Sequence, residues 1–460
     1  MRHDYLGNPL TADSDATVAG IDDFVGGFLS YEERIAHILA AADADPGSCL
    51  ANAYAGWLWM LLEAPEAPLR ATPYLVKAER AAPAATRREQ QATALLRAWV
   101  DDEVVEATRI AERILEDSPR DLAALKLHQY FDFNRGLCPD MLRVALGGLA
   151  RAGDVPQLHG MLAFAYEQCQ LLDDAEAAGR TALRMLPREP WAQHALAHVL
   201  LSRGRVREGI GFLESVRGTW TGLTSFMYTH NWWHLALFYI SEGRFAAALE
   251  AYDAHCWARD HTYSQDQVGA VSLLTRLELA GCDVGTRWHA LGDQLEARSA
   301  DTVQPFLTMQ YLYGLARAGR PEADALLAAV RQHALAARPA LRPAWEEVAL
   351  PACEGLLAHA RGDHLTARRR LGPTLGRMLE TGGSHAQRDL FEQIYLDSLL
   401  RSGQRVAAQQ LLERRRAFEP DGVPLNRTLA RVYAELGLPT EAARASRRAV
   451  RGEKGADVAR

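Results

Sequence analysis

Apolar residues recur along almost the whole chain with the three- and four-residue spacing of an amphipathic α-helix. The helical segments are each roughly ten to eighteen residues long, and they end at Gly, Pro or Asp. No run of alternating β-branched residues is long enough to predict a sheet. The pattern therefore predicts an all-α protein.

Comparison of the sequence with itself reveals a repeat of helical hairpins. Three segments superpose: Gly160 to Leu186, Pro190 to Val216 and His230 to His255. The first and third have large, small and aromatic residues where a tetratricopeptide repeat has them, and the second has Leu200 in the aromatic position. The first two are offset by about 34 residues, the period of that repeat. Because one such hairpin cannot bury its apolar face alone, neighbours must stack. The repeat predicts a tetratricopeptide-like α-solenoid, a right-handed superhelix whose first helices line a concave groove.

Weaker hairpins of the same kind extend the array in both directions. We expect an N-terminal segment with one helix at 1–45, a helical-hairpin solenoid at 46–420, a C-terminal capping hairpin at 421–451 and a flexible tail at 452–460. The N-terminal helix is expected to begin at the capping box Ser30-Tyr31-Glu32-Glu33.

The third repeat contains two histidines that do not belong to its packing pattern. In the stretch T-H-N-W-W-H-L-A-L, Trp232 falls on the packing face. At about 100° per residue, His230 and His234 project to the opposite side, and Trp233 leans towards them. This placement weakens the interpretation of the pair as ordinary core histidines.

A second pair, His194 and His198, occupies the same face of the preceding hairpin. Glu167, one hairpin earlier, lies on the same flank as Phe164. Aligning the three first helices by their packing residues puts Glu167 and both histidine pairs within one arc of about 120° facing the groove. We therefore predict that Glu167 and the four histidines carry the chemistry, and that Phe164 and Trp233 contact the ligand.

Composition excludes several classes of protein. The net charge of −7 is mild for 460 residues and both signs are mixed along the chain, so nucleic acid is not an expected partner. No stretch approaches the roughly 18 apolar residues of a membrane span. No secretory signal is visible, which predicts a cytoplasmic protein. The six cysteines include no C-x-x-C pair, so reduced thiols are expected.

Five sequence blocks are more specific than a generic helical repeat. They are W-A-Q-H-A-L-A-H-V-L from Trp191, H-N-W-W-H-L-A-L from His230, E-G-R-F-A-A-A-L-E-A-Y-D from Glu242, V-G-T-R-W from Val284 and G-G-S-H-A-Q-R-D-L-F from Gly382. In these blocks the chain resembles the tetratricopeptide repeat protein 38 family. The resemblance implies an α-solenoid and a signature set of six residues: His194, His198, His230, His234, Arg388 and Asp389. It implies no particular reaction, so function has to be inferred from the site.

The histidines are compatible with two kinds of chemistry. An i, i+4 pair presents both rings on one helix face, so both imidazoles can bind the same zinc or iron ion. Alternatively, imidazoles beside a carboxylate serve as general acid and base without any metal. No motif requires a cofactor, and none is H-E-x-x-H. The sequence leaves open whether the protein is an enzyme; as an enzyme it would be a hydrolase or a lyase.

Residues outside the two histidine pairs have more than one interpretation. Arg388 would bind a substrate carboxylate or phosphate if the late block reaches the groove. The alternative is a local salt bridge between Arg388 and Asp389 at a helix start. Asp253 is a further candidate for binding the ligand, whereas His255 occupies a position typical of a small packing residue.

The groove is expected to bind a small molecule or a peptide. Repeat solenoids commonly recognise peptides along the concave face, so a non-enzymatic protein–protein interaction scaffold is the competing hypothesis. Partners with acidic chain ends are disfavoured because the chain has only three lysines, Lys77, Lys126 and Lys454. The sequence is compatible with an oligomer as well as a monomer.

Overall fold

The structure is a computed structural model that describes residues 2–457, in which short loops connect helices and one short β-ribbon. The chain forms two compact units. The first comprises the chain up to Leu196 together with Trp220–Met227, and the second comprises Ala197–Thr219 and the chain from Tyr228 onward. Within residues 2–457, no helix is both long enough and apolar enough to cross a membrane.

The first unit begins with a two-stranded antiparallel ribbon and continues as helical hairpins. The ribbon pairs β1 (Arg2–His3) with β2 (Pro9–Leu10). The helices are α1 (Asp15–Ser30), α2 (His37–Ala44), α3 (Cys49–Met60), α4 (Ala67–Ala81), α5 (Arg87–Val100), α6 (Val104–Asp117), α7 (Leu122–Asn134), α8 (Cys138–Ala152), α9 (Pro156–Gln168) and α10 (Leu172–Met185). Helix α11 (Pro190–Ser202) begins in this unit and ends in the second.

The second unit continues the same pattern of paired helices. Helix α13 begins at the end of the first unit, and the remaining helices lie in the second. They are α12 (Val206–Val216), α13 (Ser225–Ser241), α14 (Phe245–Ala251), α15 (Ser264–Leu279), α16 (Arg287–Leu295), α17 (Pro305–Arg317), α18 (Glu322–Ala336), α19 (Leu350–Ala360), α20 (His364–Leu371), α21 (His385–Arg401), α22 (Arg405–Arg416), α23 (Val423–Glu435) and α24 (Pro439–Asp457). Short π-helical turns occur at Tyr252–Cys256 and Ala344–Ala349, and 3-10 turns at Glu33–Ala36, Ala82–Ala84, Arg217–Trp220, Glu296–Arg298 and Gly372–Thr381.

Small residues allow the second helix of one hairpin to approach the first helix of the next, as the repeat pattern predicts. A Cβ built at Gly209 of α12 would lie 2.4 Å from the ring of Phe238 on α13. At Gly179 of α10 it would lie 2.9 Å from Leu196 on α11. The all-α, tetratricopeptide-like α-solenoid fold is therefore confirmed at the level of its hairpins.

The inward helices of the second unit are covered by later parts of the same unit. The backbone of Phe418 approaches Gly204 after α11, and Val423 at the start of α23 packs on Gly243 after α13. Asp389 of α21 forms an ion pair with Arg276 of α15. These contacts join α11, α13 and α15 to later segments of the same unit.

The first unit covers its inward helices in a similar way. The Lys126 ammonium of α7 is buried and donates hydrogen bonds to the carbonyl oxygens of Phe28 (2.5 Å) and Leu29 (3.0 Å) at the end of α1. The same ammonium lies 3.5 Å from the ring centre of Tyr31. Helix α1 is thereby fixed against α7.

The two ends of the chain differ from the predicted organisation. The N-terminal segment contains two α-helices rather than one, because Tyr31 takes a left-handed backbone conformation (φ 52°) that ends α1 where the capping box had predicted a helix start. The predicted capping hairpin corresponds to α23 and α24. The expected tail at 452–460 is helical as far as Asp457, and its last three residues lie outside the described part of the chain.

Candidate metal centre

The two histidine pairs lie on α11 and α13, and helix geometry fixes the spacing within each pair. Residues four apart lie one above the other on a helix face. Glu189, just before α11, accepts hydrogen bonds from the backbone amides of Trp191 (3.3 Å) and Ala192 (2.5 Å). This carboxylate satisfies amides that the helix leaves unbonded at its start, so the beginning of α11 is well defined.

The four imidazoles converge on one point. His194, His198, His230 and His234 each offer a ring nitrogen, and these four atoms lie within 4.8 Å of one another. We call this group the histidine cluster.

The histidine cluster is buried. None of the four residues is more than 8% exposed. The sequence predicts a groove-facing position for these side chains without fixing their exposure, and the structure adds that all four are buried. A buried group of imidazoles is well suited to enclosing a small ion.

Burial determines the protonation state of His230. Removal from water, together with the neighbouring His198, lowers the pKa of His230 from 6.5 to about 3. Burial has this effect because a charged imidazolium is disfavoured in a medium of low polarity. His230 is therefore neutral near pH 7, the form in which an imidazole binds metal ions.

Indole rings form part of the wall around the histidine cluster. Trp233 stacks on His230, with ring centroids 5.1 Å apart and planes 8° from parallel. Trp191 stacks on His194 at 4.4 Å, and Phe164 lies 5.4 Å from the same ring. Phe164 and Trp233 thus contact the histidines, as their shared face predicts. The sequence analysis did not identify Trp191, although a residue three positions before His194 lies on the same helix face.

Glu167, on the first helix of the preceding hairpin, does not belong to the histidine cluster. Its side chain is fully buried, and its carboxylate accepts a hydrogen bond of 2.5 Å from the Gln168 amide. The group of converging donor atoms contains the four histidines without it. The role predicted for Glu167 beside the imidazoles stays a prediction.

The sequence block that begins at Gly382 and contains Asp389 is linked to the histidine cluster through Arg276. The sequence analysis did not identify Arg276. The Arg276 guanidinium lies 5.7 Å from the ring centre of Trp233 and 2.9 Å from the Asp389 carboxylate. Asp389 also pairs with Arg415 of α22. Burial alone would raise the pKa of Asp389, but Arg415 and Arg276 hold it well below its ordinary value.

Arg388 has a different set of contacts from Asp389. Its guanidinium donates to the carbonyl oxygen of Gly383 in the turn before α21, and lies 3.5 Å from Nδ1 of His385. Asp389 pairs with Arg276 and Arg415, and the local Arg388–Asp389 salt bridge considered from the sequence stays a prediction. Binding of a substrate by Arg388 stays a prediction.

Asp253 and His255 lie in the π-helical turn after α14 and make contacts of their own. Asp253 forms a two-point ion pair with Arg287, at 2.8 and 2.6 Å, on the surface. The ring of His255 stacks on Trp232 at 3.5 Å, and its Nδ1 lies 2.7 Å from the Tyr228 hydroxyl. Neither residue belongs to the converging group of four imidazoles.

No family model matches the chain. Among solved structures, it is similar to a monomeric IFIT1 mutant with Gppp-AAAA, at 14% identity and a TM-score of 0.41, with 95% of each chain covered. It is also similar to a human IFIT1 dimer with m7Gppp-AAAA (12%, TM-score 0.38, 96% of this chain and 91% of that chain). A third similar structure is Naa15/Naa10 bound to HypK-THB (14%, TM-score 0.25, 80% of this chain and 64% of that chain). These similarities extend to the helical architecture only.

Proposed function

We propose that this protein binds one divalent transition-metal ion at the histidine cluster and uses it to bind and transform a small anionic ligand. The single observation that carries the proposal is the convergence of four ring nitrogens within 4.8 Å, on residues that are almost completely buried. The repeated signature H-x-x-x-H supports assignment to the tetratricopeptide repeat protein 38 family as part of the same proposal.

The donor set favours zinc or iron. Imidazole nitrogen is a common ligand of both, whereas magnesium and calcium prefer oxygen. Nitrogens that bind a zinc ion lie about 2.0–2.1 Å from the metal, and zinc can expand to five-coordinate, which leaves room for one ligand atom beside four imidazoles. The four nitrogens of the histidine cluster are close enough to reach this geometry through small side-chain rotations.

The charge of the site points to the class of ligand. Four neutral imidazoles leave both positive charges of the ion uncompensated, and a buried charge is costly unless it is paired. A bound anion such as a carboxylate would offset one of these two charges. A bound ion of this kind also polarises a carbonyl oxygen, so the reaction classes that fit are metal-assisted hydrolysis and elimination.

The scaffold hypothesis has less support at this location. A peptide partner needs an accessible surface, and the histidines are buried together with Trp233. Peptide binding elsewhere on the helical hairpins is a separate function that would not use these residues.

Metal content tests the proposal. A separate group of possible metal ligands, His359, His364 and Asp397, is disabled by the substitution His364→Ala. The full-length chain with this substitution, purified without a metal-affinity tag, should contain about one zinc or iron ion per chain. Adding His234→Ala should remove most of that metal. Adding His289→Ala instead, which replaces an exposed histidine, should leave it unchanged. Equal metal content with and without His234 would overturn the proposal.

A further inference from the structure

A second group of metal-binding side chains lies in the second unit and shares no residue with the histidine cluster. His359 lies near the end of α19, His364 is the first residue of α20, and Asp397 lies in α21. One donor atom from each lies within 4.8 Å of the other two. Three separate helices thus contribute one potential ligand each.

Hydrogen bonds hold the central ring of this group in place. His359 Nε2 lies 3.0 Å from the Asp397 carboxylate, and His359 Nδ1 lies 3.0 Å from the Tyr313 hydroxyl. A hydroxyl both donates and accepts, so Tyr313 can partner Nδ1 in either tautomer. When Nε2 binds a metal, it gives up its hydrogen bond to Asp397, and the protonated Nδ1 donates a hydrogen bond to the Tyr313 hydroxyl oxygen. Metal-binding histidines are commonly oriented by such a partner on the other ring nitrogen.

His364 supplies a second imidazole next to the first. The ring centroids of His359 and His364 lie 5.3 Å apart, with the planes at 72°. The Nδ1 atom of His364 is shielded from solvent and makes no hydrogen bond within residues 2–457. A metal ion would satisfy a nitrogen that the surrounding chain leaves unbonded, which polar atoms removed from water normally avoid.

The third ligand gives this group a chemistry different from that of the histidine cluster. The Asp397 carboxylate brings a negative charge, which offsets half the charge of a divalent ion. It also accepts a hydrogen bond of 2.9 Å from Arg401. Three protein ligands leave one coordination position open, as in zinc sites that bind an exchangeable molecule. His364 and Asp397 are half-buried, so an ion can enter from solvent.

We propose that His359, His364 and Asp397 form a second divalent transition-metal site, with Tyr313 positioning His359. Two imidazoles and one carboxylate suit Zn²⁺ or Fe²⁺. The open position takes water or an oxygen ligand. The site is independent of the proposed function of the histidine cluster, because none of its ligands comes from α11 or α13.

Titration of the metal-free, full-length protein with Zn²⁺, followed by calorimetry, tests this site. The wild-type chain should bind one more Zn²⁺ than the His364→Ala variant, whatever the histidine cluster binds. Asp397→Asn, which keeps the shape of the side chain, should lose the same ion. Tyr313→Phe should bind it about 10- to 100-fold more weakly. His289→Ala serves as the control and should bind as the wild type does.

The outcomes separate the two sites. If His364→Ala and Asp397→Asn, shown to be folded by thermal unfolding, bind as many ions as the wild type, the second site does not exist. If instead the difference of one ion persists in a chain that also carries His234→Ala, the second site stands even where the histidine cluster binds nothing. Should either variant unfold, His364→Asn replaces it, and retention of the full Zn²⁺ stoichiometry by that variant would equally overturn the proposal.

Discussion

The imidazole rings of His198 and His234 lie with their centroids 4.5 Å apart and their planes 56° from parallel. One ring belongs to α11 and the other to α13, which are the first helices of consecutive hairpins. Helix axes packed side by side lie about 8 to 10 Å apart, a distance that two facing imidazoles can span. The hairpin repeat therefore brings together two pairs of histidines that are more than a helical hairpin apart in sequence.

Acid should destabilise the metal-free protein through His230. Its pKa is about 3 in the folded chain and near 6.5 when unfolded. Between these values the unfolded chain binds the additional proton, so stability falls as the pH drops below 6.5. The slope due to this residue is at most about 1.4 kcal/mol per pH unit. Urea unfolding between pH 7.5 and 5 measures how the free energy of unfolding depends on pH. This dependence should be weaker in His230→Asn than in the wild type, and an identical dependence would contradict the low pKa of His230.

Two glycines of α12 should respond oppositely to alanine. A Cβ at Gly209 would lie 2.4 Å from the Phe238 ring, so Gly209→Ala should lower the free energy of unfolding by about 1–3 kcal/mol. At Gly211 a Cβ would meet nothing within 4 Å. Gly211→Ala should therefore stabilise the helix by about 0.5–1 kcal/mol. Thermal unfolding of both variants checks the hairpin packing, and equal effects would contradict it.

Two aspartates that form ion pairs with arginine should contribute different amounts to the free energy of unfolding. Asp389→Asn leaves the nearly buried Arg276 with weaker compensation, and should cost about 1–3 kcal/mol. Asp253→Asn disrupts an ion pair in which the side chains are 50% and 30% exposed, and should cost less than about 1 kcal/mol. Chemical denaturation measures both values. A larger loss for Asp253→Asn would show that the link from α15 to α21 matters less than its burial indicates.

The periodic features of the chain were predictable from sequence. The small residue at Gly209 and the shared face of His230 and His234 both follow from 3.6 residues per turn. These are local properties, because a helix fixes the relative directions of residues within one or two turns of each other. The all-α fold and the membership of the histidine cluster follow from them.

Burial and the second group of ligands were not predictable in this way. The contact of Phe418 with Gly204, and that of Asp389 with Arg276, join segments more than a hundred residues apart. No periodicity encodes how the chain returns to cover its own inward helices. Likewise, His359 and His364 are five residues apart across a turn, and Asp397 comes from another helix, so no single helix face displays the set.

The most direct test of the central claim is anomalous X-ray diffraction from crystals of the wild-type protein grown with Zn²⁺, recorded at the zinc absorption edge. We predict a peak enclosed by His194, His198, His230 and His234, about 2.0–2.1 Å from their ring nitrogens. A zinc-saturated crystal whose map has no peak among these four histidines would contradict the account.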